Sequence, residues 1–272
     1  MRPPLSKDTR LCISLAGRPS NIGTKFHNYL YDQLGLDFIY KAFTTTDIDA
    51  AIAGVRALGI RGCSVSMPFK EAVIPLVDRV EPSARAIHSV NTIVNDDGHL
   101  TASNTDYLAV QRLIDEHDLD PGDAVLIRGS GGMANAVGAA FRDSGFHSGV
   151  VVARNPEAGR ALASRLDYDY ASDVAARTAP IIVNVTPIGM SGGPEETETA
   201  FDDATIATAR VVFDVVALPS ETPLIKAARA AGVNVITGAE VIALQAAEQF
   251  ERYTGVRPTA EQIAEASAIS RA

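Results

Sequence analysis

The stretch "DAVLIRGSGGMANAVGAAF" at residues 123–141 places a glycine-rich turn directly between a β-branched apolar run and a helix of small residues. Few local patterns constrain a fold as strongly. Gly129, Gly131 and Gly132, followed by Ala134, make a G-x-G-G-x-A variant of the dinucleotide fingerprint. The glycines permit a tight turn and a close backbone approach, and the free N–H groups at the helix start favour a pyrophosphate. The same letters would also serve a turn that merely lets a helix pack on a strand. What raises the signal is its setting: an apolar strand before it and a second strand, "GVVVARN", after the helix. Gly129, Ser130, Gly131, Gly132, Met133 and Ala134 are therefore the expected cradle.

Strand-like and helix-like segments alternate along the whole chain, which predicts an α/β fold. "LCISLAG", "FIYKAF" and "RGCSVSM" read as strands. Residues 22–34 read as a helix closed by Gly35, and Thr46-Asp47 as the cap of a helix carrying Ile48, Ala51, Ile52, Val55 and Leu58 at helical spacing. "NTIVNDDGHLTASNTD" reads as two strands joined at Asp97-Gly98, followed by a helix over 107–117. After Pro121-Gly122 come "AVLIRG", "GVVVARN", "PIIVNVT", "RVVFDVV" and "GVNVIT", strands separated by helices as in a doubly wound parallel sheet. Two helices follow Ala239. The break near Asp106 has no flexible tether.

Charge and composition exclude several classes. A formal net charge of −9 without a Lys/Arg cluster argues against nucleic acid or a membrane surface as partner. No apolar run reaches the ~20 residues of a membrane span. "MRPPLSKDTR" lacks the apolar core of a signal peptide. Cys12 and Cys63 lie in apolar runs and read as buried thiols of a reducing, cytoplasmic setting. His27, His88, His99, His117 and His147 show no metal-ligand spacing, so no metal site is expected.

The acid or base at the second strand's tip tells which nicotinamide dinucleotide is preferred. An acid ~20 residues past the glycines binds the 2′-hydroxyl of NAD, whereas arginine suits the 2′-phosphate of NADP. That tip is Arg154-Asn155, with Glu157 the nearest acid. A guanidinium holds phosphate in a forked geometry, so NADP (NADPH) is expected, with NAD the weaker alternative. A lone arginine can equally be a solvated surface residue.

Together, "SVSMPFK", "SVNTIV", "SNTDYLA", "GSGGMA", "NVTPIGM", "VVALPSETPL" and "LQAAEQF" resemble the shikimate dehydrogenase family in order and spacing along nearly the whole chain. The resemblance implies a substrate domain of residues 1–105 completed by 240–272, and a Rossmann-type NADP domain of residues 106–239. It implies reversible oxidation of shikimate to its 3-dehydro ketone, in aromatic amino acid biosynthesis. It also implies a catalytic pair at Lys70 and Asp106. Oxidising an alcohol requires a hydroxyl proton to leave as hydride departs, and a Lys–Asp pair past a strand end can hold and pass that proton. Asp106 could also cap a helix. By the same resemblance Ser66, Asn91 and Gln245 meet the substrate ring, and Arg154, Asn155, Thr186, Val215 and Gly238 meet the cofactor. Each of these could instead be a turn or packing residue.

Departures from the family pattern collect at the end expected to hold the carboxylate. The paired serines of the family's H-S-x-S-P stretch have no counterpart in "GRPSNIGTKFHN", which is shorter between Gly17 and His27. Ser20, Asn21 and Thr24 are the expected replacement donors, with Lys25 a possible charge. Ser64 replaces an asparagine, and Ala217 replaces the tyrosine of V-Y-x-P. The second basic residue of the NADP clamp falls on Ala158, with Arg160 displaced. This pattern resembles the shikimate dehydrogenase-like subgroup. Alternatives are a quinate- or aminoshikimate-type dehydrogenase, or a non-enzymatic NADP or shikimate sensor. Lys70 and Asp106 argue against the sensor, because a binder needs no proton-transfer pair. Either a monomer or a homodimer is expected.

Overall fold

The protein is described as a computed structural model covering residues 2–175 and 177–271. It divides into two compact units. One holds the residues up to Thr105 together with those from Ala243 on, and the other holds Asp106–Ile242.

The first unit contains β1 (Arg10–Leu15), α1 (Ile22–Leu34), β2 (Phe38–Phe43), α2 (Ile48–Ala57), β3 (Gly62–Val65), β4 (Arg79–Val80), α3 (Pro82–Arg85), β5 (Thr92–Asp96) and β6 (His99–Ser103). α4 (Thr105–Glu116) starts at its boundary. Its six strands form one mixed sheet in the order β2-β1-β3-β5-β6-β4. β1 pairs in parallel with β2 and β3, and β5 runs antiparallel to β3 and β6. The β5–β6 hairpin turns at Asp97 and Gly98, both at positive φ, the backbone that a two-residue turn requires.

Alternation along the strands feeds two cores. Cys12 packs with Phe26, Leu30, Tyr31, Tyr40, Phe250 and Tyr253 on one side. Ile13, Leu15, Ile52, Val55 and Cys63 pack on the other. Both cysteines are buried and free, and burial pushes Cys12 up to about 12. α1 ends at Gly35 in the left-handed conformation, and Asp47 caps α2 by accepting from the Ala50 N–H at 2.9 Å.

The second unit contains β7 (Val125–Arg128), α5 (Gly132–Asp143), β8 (Gly149–Val152), α6 (Pro156–Leu166), β9 (Asp169–Ala171), β10 (Ile181–Asn184), α7 (Asp203–Thr208), β11 (Val211–Asp214), α8 (Pro223–Ala230) and β12 (Asn234–Thr237). The strand order is β12-β11-β10-β7-β8-β9, and every pairing is parallel. This is the doubly wound Rossmann order, whose switch point lies between β7 and β10. Small residues let α5 approach closely. A Cβ on Gly138 would stand 2.5 Å from Leu166 Cδ1 of α6. α9 (Gly238–Thr254) leads back to the first unit, and α10 (Ala260–Arg271) completes the chain there.

Some boundaries differ from the sequence reading. The helix expected from Tyr107 begins at Thr105, so Asp106 lies in its first turn rather than at the cap. A carboxylate is favourable there against the helix dipole. β4, α3, β9 and α7 are too short to carry a periodic signal. Among the described residues, no helix is long and apolar enough to cross a membrane.

Among the described residues, His27 is the one histidine sealed in a core. Its ring stacks on Tyr40 at 4.4 Å and lies against Phe26, Tyr31, Phe250 and Tyr253. Neither ring nitrogen has a partner in hydrogen-bond geometry. Burial lowers its pKa to about 3, an effect that Gln249 offsets only partly. A depressed pKa means the unfolded chain binds the proton more readily. The stabilisation is fully present above pH 6.5 and drains away as pH falls towards 3. The contribution changes by at most ~1.4 kcal/mol per pH unit. His27→Phe keeps the ring and removes the titration. Urea unfolding between about pH 4 and pH 7 should show a shallower loss of stability for the variant than for the wild type. Identical slopes would mean that His27 does not titrate on unfolding.

Candidate active site

In the first unit the turn after β3 carries Lys70. Two backbone bonds, one at each end of the turn, tie it to the residues just before β5: Val65 N–H donates to the Asn91 carbonyl at 2.8 Å, and Val90 N–H donates to the Lys70 carbonyl at 2.8 Å. Lys70 is half-buried. Ser66 is exposed at the strand end.

Asn91 organises what lies next to that turn. It is 3% exposed. Its Oδ1 accepts from the Thr105 N–H at 2.7 Å, the Thr105 hydroxyl at 3.1 Å and the Thr92 hydroxyl at 2.8 Å. The oxygen is filled, so the amide Nδ2 is the end left to donate to a ligand. The Thr105 hydroxyl also reaches Gln245 Oε1 at 3.3 Å. Asn91 and Gln245, expected together, are thus brought together through Thr105.

One turn along α9 from Gln245 lies Gln249, which the sequence reading did not single out. Its Nε2 donates to the Thr92 hydroxyl at 3.0 Å and the Asn91 carbonyl at 3.3 Å. Its Oε1 accepts from the Ser64 hydroxyl at 3.1 Å. Ser64 Oγ is also 2.6 Å from the Tyr40 hydroxyl and 3.4 Å from that of Tyr253. The i,i+4 spacing of the two glutamines in "LQAAEQF" was the available signal, because it puts both on one helix face. Both ends of Gln249 are occupied, so it holds the network in place.

The rebuilt N-terminal segment borders this network. The Cβ direction of Gly23 points to within 3.4 Å of the Tyr40 hydroxyl. Thr24 Oγ1 is buried without a hydrogen-bond partner. Ser20, Asn21 and Lys25 are exposed and outside the network, and Asn21 precedes α1 without a side-chain cap bond.

In the second unit a cavity of about 770 Å³ opens where the C-terminal ends of β7, β8, β9 and β10 converge. Of the expected cofactor residues, Gly129, Ser130, Gly131, Arg154, Asn155 and Thr186 line it. Gly129 has φ +129°, and a Cβ there would stand 2.7 Å from Val185 Cγ2, so its role is close packing. At Gly131 and Gly132 a Cβ would meet nothing within 4 Å. The start of α5 has no side-chain cap bond. Open space above uncapped N–H groups is the donor set a pyrophosphate needs. Two guanidiniums, Arg128 and Arg154, line the same cavity, and the residues present fit a phosphorylated dinucleotide.

Other expected cofactor residues are placed differently. Ala134 is fully buried, and Met133 and Val215 are half-buried. Asn155 Oδ1 caps α6, accepting from the Glu157 and Ala158 N–H groups at 3.0 and 3.2 Å. A Cβ on Gly238 would stand 2.4 Å from the Val215 carbonyl oxygen, so a glycine is needed there for packing alone. Arg160 lies over the Tyr170 ring, 4.6 Å from its centroid.

Three buried side chains hold the loops after β10 and β11, and none was legible beforehand. Asp214 accepts from Thr222 Oγ1 at 2.6 Å, Asn184 Nδ2 at 3.0 Å and the Val216 N–H at 3.1 Å. Asn184 Oδ1 in turn accepts from the Thr186 hydroxyl at 2.6 Å and its N–H at 3.0 Å. Burial pushes the Asp214 carboxyl above its usual range, and these donors offset part of that.

The family model described as the shikimate dehydrogenase substrate binding domain matches residues 21–93. A shikimate dehydrogenase-like protein of Haemophilus influenzae is 59% identical over 267 residues, covering 98% of each chain. The shikimate dehydrogenase (NADP(+)) of Chlorobium phaeobacteroides is 36% identical over 261 residues, covering 87% of this chain and 88% of its own. A solved shikimate 5-dehydrogenase-like protein superposes with a TM-score of 0.98 at 58% identity, covering 99% of this chain and 100% of its own. With Rossmann strand order, fingerprint loop and relatives in agreement over nearly its full length, this chain belongs to the shikimate dehydrogenase family.

Proposed function

We propose that this protein is an NADP-dependent oxidoreductase that interconverts shikimate, or a close hydroaromatic acid, with its 3-dehydro ketone. The observation that carries the reading is the Asn91-centred set of buried polar side chains beside the Lys70 turn, in a chain 36% identical to a shikimate dehydrogenase (NADP(+)). Amide and hydroxyl groups held rigidly suit the vicinal hydroxyls of such a ring. Residues up to Thr105, with those from about residue 240 on, are assigned to the substrate, and residues 106–239 to the cofactor.

Lys70 and Asp106 are assigned the hydroxyl proton. The pinned backbone of Lys70 limits where its ammonium can reach, which favours a defined proton position. Asn91 Nδ2 and Gln245 are assigned to the ring hydroxyls, with Gln249 and Thr105 holding them in place. Ser66 is assigned a supporting hydroxyl. Arg154 is assigned to the 2′-phosphate, and the N–H groups of Gly131 and Gly132 to the pyrophosphate. When bound, the nicotinamide supplies the hydride acceptor or donor.

A second reading, a sibling that prefers another ring acid such as quinate, is separated from the first by the substrate panel below, since every such acid brings the same carboxylate to the rebuilt segment. The segment assigned to the carboxylate offers exposed Ser20 and Asn21 and only one buried hydroxyl, that of Thr24. An anion with unfilled hydrogen bonds binds poorly.

A dehydrogenase assay over a panel of cyclohexane and cyclohexene carboxylates, with both nicotinamide cofactors, tests the reading. Measurable NADP-dependent oxidation of shikimate is expected, and turnover of none of the panel would overturn it. Lys70→Ala should lower kcat by ~10²–10⁴-fold with little change in KM, and an unchanged kcat would remove Lys70 from the chemistry. Thr24→Val deletes a hydroxyl that has no partner in the protein. It should raise the shikimate KM at constant kcat without lowering the unfolding midpoint. A constant KM would exclude Thr24 from the substrate. Arg154→Ala should weaken NADP binding about ten- to hundredfold and leave NAD nearly untouched, as read by calorimetry. Equal losses for both would make Arg154 structural.

A further inference from the structure

An arginine of the cavity at the β-strand ends is already paired with an acid, where a phosphate-binding site would be expected to offer its cation unpaired. Glu195 Oε1 is 3.4 Å from Arg154 Nη1. The two partners are unequal. The Arg154 side chain is 76% exposed, whereas that of Glu195 is 23% exposed. The loop beneath Glu195 is held at many points. Its own carbonyl accepts from the Gly189 N–H at 2.9 Å and the Glu198 N–H at 3.2 Å. The Ser191 N–H donates to the Leu218 carbonyl at 2.9 Å, and Glu196 accepts from the Ser191 hydroxyl and the Gly192 N–H at 3.1 and 3.0 Å. Arg128 donates to the Ala200 carbonyl at the far end of the loop. Arg154 is therefore the partner free to swing, and Glu195 is a fixed negative charge.

We infer that Glu195 sets how strongly this cavity prefers a 2′-phosphorylated dinucleotide over its 2′-hydroxyl counterpart, by holding Arg154 until the phosphate displaces it. The inference rests on the reading of the cavity as the dinucleotide site. A phosphate dianion that takes Arg154 must sit near the Glu195 carboxylate and be repelled by it, whereas a ribose hydroxyl can donate to that carboxylate. Arg128 is under the same influence. Burial lowers its pKa, Glu195 and Glu198 act to raise it, and Arg154 acts to lower it. Asp173 and Asp202 line the cavity as well, so acids outnumber the two guanidiniums, and Glu195 is the one paired with Arg154; neutralising it releases that arginine to a phosphate. No sequence motif marks this residue, because it lies 41 positions from its partner, in a loop after a different strand.

The test is calorimetric binding, without ring-acid substrate, of NADP⁺, NAD⁺, adenosine 2′,5′-bisphosphate and AMP to wild type, Glu195→Gln, Glu195→Asp and Arg154→Ala. Glu261→Gln on α10 controls for net charge. Glu195→Gln should bind the two 2′-phosphorylated ligands about three- to tenfold more tightly, while NAD⁺ and AMP stay equal or weaken. Added salt should shrink that gain. Glu195→Asp keeps the charge and should keep the wild-type selectivity, which separates charge from any disturbance of the loop. An unchanged ratio of NADP⁺ to NAD⁺ affinity in Glu195→Gln, with Arg154→Ala selectively weakening NADP⁺, would overturn the role of Glu195 and leave the cavity reading standing. If Arg154→Ala also fails to discriminate, the reading of the cavity falls and the inference falls with it. A gain of the same size in Glu261→Gln would reduce the effect to overall charge and overturn the inference.

Discussion

The side-chain oxygen of Asn91 accepts three hydrogen bonds in a region closed to water, and the geometry of the first unit depends on it. One of the three comes from the N–H of Thr105, the first residue of α4. The backbone carbonyl of Asn91 accepts from Val65, at the end of β3, and from Gln249 of α9. A single residue thus ties together a strand end, a helix start and a helix face far apart in sequence. Removing its side chain would strand the buried Thr105 N–H and take one partner from each of the Thr92 and Thr105 hydroxyls. A buried group left unsatisfied costs about 1–3 kcal/mol, a sizeable part of a typical net stability.

The second unit solves the same problem with a charge. Loops at the C-terminal ends of parallel strands must be held open over a ligand, yet their backbone groups need partners. Asp214 and Asn184 supply those partners from inside, through Thr222, Val216 and Thr186. The cost is a carboxyl buried from solvent, which burial drives towards its neutral form. Three donors on that carboxyl offset it. The glycines then need only keep clear of the cavity, and Gly131 and Gly132 do so.

Function in both units depends on which groups are fixed and which are free to answer a ligand. Gln249, Asp214 and the side-chain oxygen of Asn91 have their hydrogen-bonding capacity taken up inside the protein, so they hold positions, while Asn91 Nδ2 is left to donate. Thr24 Oγ1 has no partner in the protein. Arg154 is mostly exposed and paired with one rigid acid. On the proposed reading of the cavity, cofactor preference would depend on Glu195 as well as on the arginine at the strand tip.

Much of this was legible in the order of residues. The glycine turn after "AVLIRG" announced a strand–turn–helix unit because only glycine tolerates that backbone and that approach, and this chemistry is local. Asp97-Gly98 marked the hairpin and Gly35 the end of α1 for the same reason. Short elements such as β9 and α7 escaped notice because three to six residues hold too little periodicity to register. Tertiary structure alone decided the partnerships. Only folding could bring Gln249 beside Ser64, 185 residues earlier in the chain, or Glu195 beside Arg154, 41 residues away. A hydrogen bond or ion pair needs its atoms within a few ångströms, and no local preference of the chain encodes a distance across a sheet.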